Sequence, residues 1–279
     1  MKFGFSTYFF TKTPPLQMME EALSLGINVF ELSQEIPQIL AMDDGFFREI
    51  KILKDQGAEF SIHAPFFEIN LGSFFDDIRS ISKRKIMSAV ERAGRIGAGP
   101  VVIHPGYTFL AHKVKEIEER VRESFIDDLG EVSLLARKYG VKIGLENVHM
   151  PYFFFCDLPE FEKIRERISD VGITLDVGHA YAGHYAKGTD DPESAILSDL
   201  ERIGIENLFH VHLHNNTGLK DDHSFLRGRI DLKRIVNGLE RLGYREKVIV
   251  ESYDMEQFGM DAVIKKLKEF EAAPENPTP

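Results

Sequence analysis

The sequence has no tryptophan, one cysteine in 279 residues, and fewer basic than acidic residues. The lone thiol, Cys156, excludes an intramolecular disulfide and favours a reducing, cytoplasmic location. No run of about 18 apolar residues is present, so the sequence predicts no membrane span. The formal net charge of −11 argues against a broad nucleic-acid-binding surface, but it does not exclude a local one.

Short apolar segments alternate along the chain with longer amphipathic ones, and glycine or proline separates them. We predict eight strands, at Lys2–Ser6, Asn28–Leu32, Glu59–His63, Val101–His104, Lys142–Glu146, Ile173–Asp176, Leu208–Leu213 and Val248–Glu251. A helical pattern follows each strand, and such alternation implies parallel strands. The predicted fold is therefore α/β, a single (β/α)8 TIM barrel over residues 1–271, with its active site at the C-terminal rim. The tail, residues 272–279, has the composition of a disordered end.

The third to the eighth predicted strands each end on or next to a residue that can bind a metal ion. These residues are His63, His104, Glu146, Asp176, His212 and Glu251. One such residue at a strand end is often structural, but six in succession at the active-site rim of a barrel indicate a shared function. The loops that follow the sixth and seventh strands add His179, Asp221 and His223.

Imidazole and carboxylate ligands together suit Zn²⁺, Mn²⁺, Fe²⁺ or Co²⁺. The full ligand set exceeds the roughly four to six positions around one such ion, so it predicts a cluster bridged by a carboxylate. Ions about 3.5–4 Å apart are typical of phosphoester hydrolysis. The seventh strand carries two more histidines. We expect His210 to be a hydrogen-bonded group below the rim and His214 to lie beyond the rim.

Several motifs resemble the endonuclease IV and xylose-isomerase-like barrels, which include AP endonuclease family 2 and the sugar phosphate isomerases and epimerases. The resemblance extends from the first strand to the eighth. The matching motifs are HAPFFEINLGS at 63–73, IHPG at 103–106, LEN at 145–147, LDVGHAYAGH at 175–184, HLHNN at 212–216, DDHSFLRGRID at 221–231 and VES at 250–252.

The endonuclease IV branch of this resemblance implies up to three divalent ions, with Zn²⁺ favoured and Mn²⁺ or Mg²⁺ as alternatives. His63 and His104 would hold one ion with Glu146 as a bridge. The second ion would be held by Asp176, His212 and Glu251, and the third by His179, Asp221 and His223. The implied reaction is cleavage of DNA at an abasic site by metal-bound hydroxide, without a protein nucleophile and with Glu146 and Glu251 as catalytic residues.

The sugar isomerase branch implies a different use of the same rim. One ion would be held by Glu146, Asp176, His212 and Glu251, and the two glutamates would move a proton between adjacent carbons of a sugar or sugar phosphate. Glu31 and the absence of lysine and arginine from residues 33–46 favour this branch. The predicted substrate-binding residues are Glu31, Phe66, Asn70, Arg227 and Arg229, the two arginines being suited to DNA phosphate or sugar phosphate alike. A non-catalytic barrel with a metal site is a third hypothesis, and the sequence predicts no particular oligomeric state.

Overall fold

Eight parallel strands close into a barrel in which each strand pairs with the next and the last pairs with the first. A computed structural model describes residues 1–109, 114–218 and 220–271, with only the backbone of Glu271. The strands are β1 Lys2–Ser6, β2 Val29–Ser33, β3 Glu59–His63, β4 Val101–Ile103, β5 Ile143–Glu146, β6 Val171–Asp176, β7 Leu208–Leu213 and β8 Lys247–Val250. The prediction of a single (β/α)8 TIM barrel is confirmed. The predicted tail, 272–279, lies outside the described residues.

One or two helices follow each strand. They are α1 Pro15–Ser24, α2 Asp44–Asp55, α3 Asp76–Ile96, α4 Lys115–Tyr139, α5 Phe161–Arg165, α6 Val177–Ala186, α7 Pro192–Ile203, α8 Leu232–Leu242, α9 Asp254–Phe258 and α10 Met260–Glu271. The helix α9 was not predicted, because five residues are too few to show a helical period. Within the described residues, no helix combines the length and the apolar character needed to cross a membrane.

Local signals fix where several helices begin and end. Asp43 precedes α2 and accepts a hydrogen bond from the backbone N–H of Phe46 at 2.8 Å, which satisfies one of the free N–H groups of the first turn. The helix α3 ends at Gly97, with φ of 62°, and α4 ends at Gly140, with φ of 68°. Glycine adopts this left-handed conformation without the steric cost that a Cβ brings. These ends return the chain to the bottom of the barrel, from which β4 and β5 rise to the rim.

The inside of the barrel is polar just below the rim. Side chains alternate along a strand, so β7 turns His210 and His212 inward and packs Val211 outward. The strand register pairs Asp176 with His212 and Glu31 with Ser61. The inward-facing Glu31, Ser61, Thr174, Asp176, His210 and His212 are all fully buried. Apolar packing against the helices therefore stabilises the barrel, while its upper interior is left for polar groups.

Candidate metal centre

The end of β5 places Glu146 at the centre of the rim, where it is buried. Its Oε2 lies 3.2 Å from Nε2 of His63 and 3.2 Å from Nε2 of His104. Nδ1 of His63 donates to the carbonyl oxygen of Ala64 at 2.8 Å. Since a carbonyl oxygen only accepts, the proton of the neutral His63 ring sits on Nδ1 and the lone pair of Nε2 faces the carboxylate. We call His63, His104 and Glu146 the Glu146 group.

A second set of ligand atoms, the Asp176 group, comes from the ends of β6, β7 and β8. One ligand atom from each of Asp176, His212 and Glu251 lies within 4.8 Å of the others. Nδ1 of His212 lies 3.6 Å from Oε1 of Glu251 and 3.5 Å from Oε2 of Glu146. Glu146 therefore borders both groups, which is the position of a bridging carboxylate.

A third set, the Asp221 group, joins the start of α6 to the loop after β7. Oδ2 of Asp221 lies 3.0 Å from Nε2 of His179 and 3.2 Å from Nε2 of His223. Nδ1 of His179 donates to the carbonyl oxygen of Asn147 at 2.9 Å. This bond fixes the orientation of the ring and leaves Nε2 free to act as a ligand.

Asp254, at the start of α9, holds the loop that carries the Asp221 group. Its Oδ2 accepts hydrogen bonds from Oγ of Ser224 at 2.7 Å and from the backbone N–H groups of Phe225 and Leu226, each at 2.8 Å. The neighbouring His223 has φ of 41°, a left-handed conformation that a non-glycine residue adopts at a cost. The hydrogen bonds to Asp254 offset this cost and aim the His223 ring at Asp221.

Several buried polar atoms of these groups have no hydrogen-bond partner among the described residues. They include Nδ1 of His212, Nδ1 of His223 and Oδ1 of Asp221. A buried polar atom without a partner costs about 1–3 kcal/mol, and a divalent ion would satisfy such atoms directly. The donor set of imidazole nitrogens and carboxylate oxygens suits Zn²⁺ or Mn²⁺. The residues present therefore fit a metal centre, and the structure brings together all the residues predicted as ligands, whose binding of ions stays a prediction.

The two glutamates predicted to be catalytic have opposite proton affinities. Burial opposes charge on Glu146, but the imidazoles of His104 and His212 outweigh it and hold the pKa of its carboxyl well below the usual value. Burial raises the pKa of Glu251 to about 7; His212 opposes the rise and the charge of Glu146 adds to it. Glu146 is thus a carboxylate at neutral pH, whereas Glu251 can take up or release a proton there.

A cavity of about 420 Å³ opens onto the three groups. Its wall is mainly aromatic and contains Tyr8, Phe9, Phe66, Phe67, Tyr107, Phe109, Tyr152, Phe153 and Tyr253. The predicted substrate residue Phe66 stacks on His104, with ring centroids 4.5 Å apart. The buried carboxylate of Glu35 accepts hydrogen bonds from the N–H groups of Phe66 and Phe67, and sequence reasoning missed this support. No lysine or arginine is among the described residues that line the cavity.

Glu31, predicted to contact substrate, lies below the rim. It is fully buried and is not part of the cavity wall. Its Oε2 accepts hydrogen bonds from Nε2 of His210 at 2.9 Å and from Oγ of Ser61 at 3.1 Å, and its Oε1 lies 3.0 Å from Nε2 of His212. This position leaves no area for a substrate contact, because the residue points inward two positions below the end of β2. We propose instead that Glu31 orients His212.

Three other residues predicted to bind substrate lie outside the cavity wall. Asn70 uses its side chain to join two loops, donating to the carbonyl oxygen of Tyr107 at 2.9 Å and accepting from the N–H of the same residue at 3.0 Å. Arg227 and Arg229 are exposed, and Arg229 donates to the hydroxyl of Tyr185 at 3.0 Å. The arginines can reach only a substrate that extends beyond the cavity.

Of the two remaining histidines in β7 and the loop after it, one lies where it was predicted and the other does not. His210 is a buried, hydrogen-bonded group below the rim, as predicted. His214 does not lie beyond the rim. It is fully buried, its Nε2 lies 3.0 Å from Oδ1 of Asp176, and its ring stacks on His223 with centroids 4.0 Å apart. The alternation of side chains that turns His212 inward also turns His214 inward, so the sequence contained the pattern that predicts its burial.

Residues 19–273 match the family model described as the xylose isomerase-like TIM barrel. The chain belongs to the xylose isomerase-like TIM barrel family. This xylose isomerase-like barrel is 29% identical to an uncharacterised protein of Methanocaldococcus jannaschii, over 97% of this chain and 89% of that protein. It is 27% identical to the probable endonuclease 4 of Halothermothrix orenii, over 78% of this chain and 81% of that protein.

Among solved structures, the barrel resembles a D-tagatose 3-epimerase-like protein with a TM-score of 0.77 and 25% identity. The likeness covers 96% of this chain and 100% of that chain. The superfamily predicted from the motifs is therefore confirmed. Its members include proteins named as endonucleases and as epimerase-like proteins, so membership of this xylose isomerase-like family does not by itself decide between the two reactions.

Proposed function

We propose that this chain is a divalent-metal-dependent phosphoester hydrolase with more than one ion, Zn²⁺ being the favoured metal and three the largest number. The observation that carries the proposal is the Asp221 group. A single ion held by Glu146, Asp176, His212 and Glu251 would leave His179, Asp221 and His223 without a metal to bind. These three residues lie together beside the Glu146 and Asp176 groups, which is the arrangement that a cluster of ions needs.

The chain's own residues have distinct roles in this proposal. Bound ions would supply Lewis-acid activation of water and neutralise charge on a phosphate. Glu146 stays ionised and borders two groups, so it positions both. Glu251 lies 3.6 Å from Nδ1 of His212, so it would help to hold the ion of the Asp176 group. Phe66 forms a flat apolar surface beside His104 against which a sugar ring can rest.

Abasic-site DNA is the named case for the substrate. A DNA strand would enter the aromatic cavity only locally, and the exposed Arg227 and Arg229 are placed for a phosphate outside it. The net charge of −11 restricts the proposal to such a local contact rather than a broad DNA-binding surface. We also propose a cytoplasmic location, which the single cysteine fits.

Metal content and cleavage together test the proposal. The experiment measures zinc per chain and cutting of a duplex with one abasic site, for the wild-type protein and for Asp221→Asn. We expect up to three ions and cleavage for the wild type, and loss of at least one ion and most cleavage for the variant. His184→Asn is the matched control, because His184 pairs with Asp199 at 3.3 Å outside the cavity wall. One ion per chain, with no cleavage in Zn²⁺ or Mn²⁺, would contradict the proposal.

The cavity wall favours a second candidate, a single-metal isomerase or epimerase acting on a sugar or sugar phosphate. An aromatic wall without lysine or arginine among its described residues suits a neutral sugar better than an anion. Glu146 and Glu251 both lie within 3.6 Å of Nδ1 of His212, so two carboxylates face one position. This reaction predicts deuterium uptake from D₂O at a substrate carbon, and Asp221→Asn should leave that uptake intact. Absence of uptake across a panel of ketoses and aldoses would exclude this candidate for those sugars.

A further inference from the structure

His214 is a buried imidazole that the three proposed ion sites do not use. Its exposure is zero, although it lies only one residue after the end of β7. It lies between the Asp176 and Asp221 groups, and its ring stacks on that of His223 at a centroid distance of 4.0 Å. A buried ring between two groups of charged side chains must have its nitrogens satisfied on both sides.

Asp176 settles which nitrogen of His214 carries the proton. Nε2 lies 3.0 Å from Oδ1 and 3.2 Å from Oδ2 of Asp176. A carboxylate only accepts, so Nε2 donates and the neutral ring has its lone pair on Nδ1. Nδ1 lies 3.7 Å from Oδ1 of Asp221, and its contact with the carbonyl oxygen of Asn215, at 3.4 Å, is longer than a strong N–H···O bond. The lone pair therefore faces the Asp221 group.

The backbone of α6 makes room for this ring. A Cβ on Gly178 would lie 1.9 Å from Cε1 and 2.4 Å from Nε2 of His214, so any larger residue at this position would displace the imidazole. On the other side of the ring, Oδ1 of Asp221 is buried and has no hydrogen-bond partner within the part of the chain that the structure describes. One ligand atom from each of His179, His214, Asp221 and His223 lies within 4.8 Å of the others. Three imidazoles thus surround one carboxylate that has an unsatisfied oxygen.

We propose that His214 is a fourth ligand of the ion held by the Asp221 group, through Nδ1, while its Nε2–H binds Asp176. This inference rests on the proposed multi-ion function. Four side chains complete the tetrahedral shell that Zn²⁺ prefers, whereas sites that activate water keep a position open. The ion at the Asp221 group therefore holds the geometry of its neighbours and is the last to be removed by a chelator. Because Asp176 belongs to the next group, His214 also links the position of Asp176 to that of the ion in the Asp221 group.

Two variants test the proposal from different sides. His214→Gln keeps a donor for Asp176 but removes the imidazole, and Gly178→Ala leaves His214 in the chain while taking its space. The controls are His184→Asn, on the same helix as Gly178, and Gly183→Ala, where an added Cβ would meet only Oδ1 of Asp157 at 3.8 Å. Chelator competition measures the affinity of each ion, and circular dichroism of the metal-free proteins checks that each variant folds.

We expect the tightest ion to bind about 10–100-fold more weakly in both variants and unchanged in both controls. In zinc-loaded crystals, a Zn²⁺ anomalous peak about 2.0–2.1 Å from Nδ1 of His214 would support the proposal. Unchanged affinity in His214→Gln, with the peak more than about 3 Å from Nδ1, would overturn it and leave the hydrolase proposal standing. Two ions with the Asp221 group empty would overturn this inference and remove the observation on which the hydrolase proposal rests, and a single ion in the wild-type protein would likewise overturn both proposals.

Discussion

Removal of metal is expected to make the stability of this barrel fall as the pH rises above neutral. Without metal ions, the imidazoles of the rim take up protons, because the negative charge of the buried carboxylates nearby favours the protonated form. Burial opposes this charge, but Glu146 raises the pKa of His63 to about 9. Asp176 and Asp221 likewise outweigh burial and raise the pKa of His179 to about 10. The folded, metal-free protein therefore binds more protons than the unfolded chain between about pH 7 and 9.

The sign and the size of the effect follow from these values. A histidine whose pKa is raised in the folded state makes its full contribution to the free energy of unfolding at a pH below its unfolded pKa of about 6.5. This contribution is lost as the pH rises through the pKa of the folded state. For His63, with a pKa of about 9, the loss between pH 7 and 9 is about 2 kcal/mol. His179, with a pKa of about 10, loses about 2.5 kcal/mol over the same range, so about 5 kcal/mol is an upper limit for the pair. Histidines whose pKa burial lowers change charge mostly below pH 7 and do not oppose this slope.

Urea unfolding of the metal-free protein between pH 7 and 9 measures this loss. The window ends at pH 9 because the thiol of Cys156, whose pKa burial raises to about 12 in the folded state, adds a growing loss of stability once the thiol of the unfolded chain ionises, at a pKa of about 8.5. His63→Asn should make the slope shallower, and the raised pKa values of His179, His212 and His214 should account for the slope that remains. Zinc should abolish or reverse the slope, since its ligands bind deprotonated and its affinity rises with pH. A free energy of unfolding that is flat within about 0.5 kcal/mol in the metal-free wild type would refute the reasoning.

Three further substitutions probe the parts of the site separately. Glu146→Gln removes the carboxylate shared by two groups, so we expect loss of bound zinc and of turnover. In the metal-free variant, NMR titration should give a pKa of His63 below its usual 6.5. Retained turnover would show that the site is misplaced. Glu31→Gln should weaken zinc binding about 10–100-fold by releasing His212, and unchanged affinity in a chelator competition would contradict its positioning role. Asp254→Asn should lower the free energy of unfolding by about 2 kcal/mol in urea titrations, and an effect within error would mean that the loop is held by other contacts.

The rim residues were predictable because they depend on patterns of short range. A histidine or carboxylate at the end of an apolar run, such as His63 or Glu146, needs only the position of the run to be placed at the rim. Parallel closure of the barrel then brings these residues together, whatever their separation along the chain. The bounds of the strands shift by one or two residues between prediction and structure, but such a shift leaves the strand ends on the same rim.

The surroundings of the rim could not be predicted, because they depend on contacts between distant residues. Nothing near Glu31 in the sequence shows that His210, 179 residues away, will occupy its carboxylate. Asp254 supports the loop of Asp221 from a separate helix, and no periodic pattern announces that helix. Most of the residues predicted to bind substrate also lie outside the cavity wall. A side chain in a loop, such as Arg229, can point to solvent, whereas an inward position on a barrel strand has one direction only.

The charge of the site separates the two proposed functions more sharply than its shape. Four carboxylates, Glu146, Asp176, Asp221 and Glu251, lie among neutral ligands in the three groups. Together with the buried carboxylate of Glu31, 3.0 Å from His212, the local formal charge is +1 with three divalent ions and −3 with one. A cavity wall without lysine or arginine among its described residues adds nothing to either sum. The fully loaded cluster would therefore attract a phosphate, whereas the one-ion site would favour a neutral sugar over a sugar phosphate. The number of bound ions thus selects the substrate class as well as the chemistry.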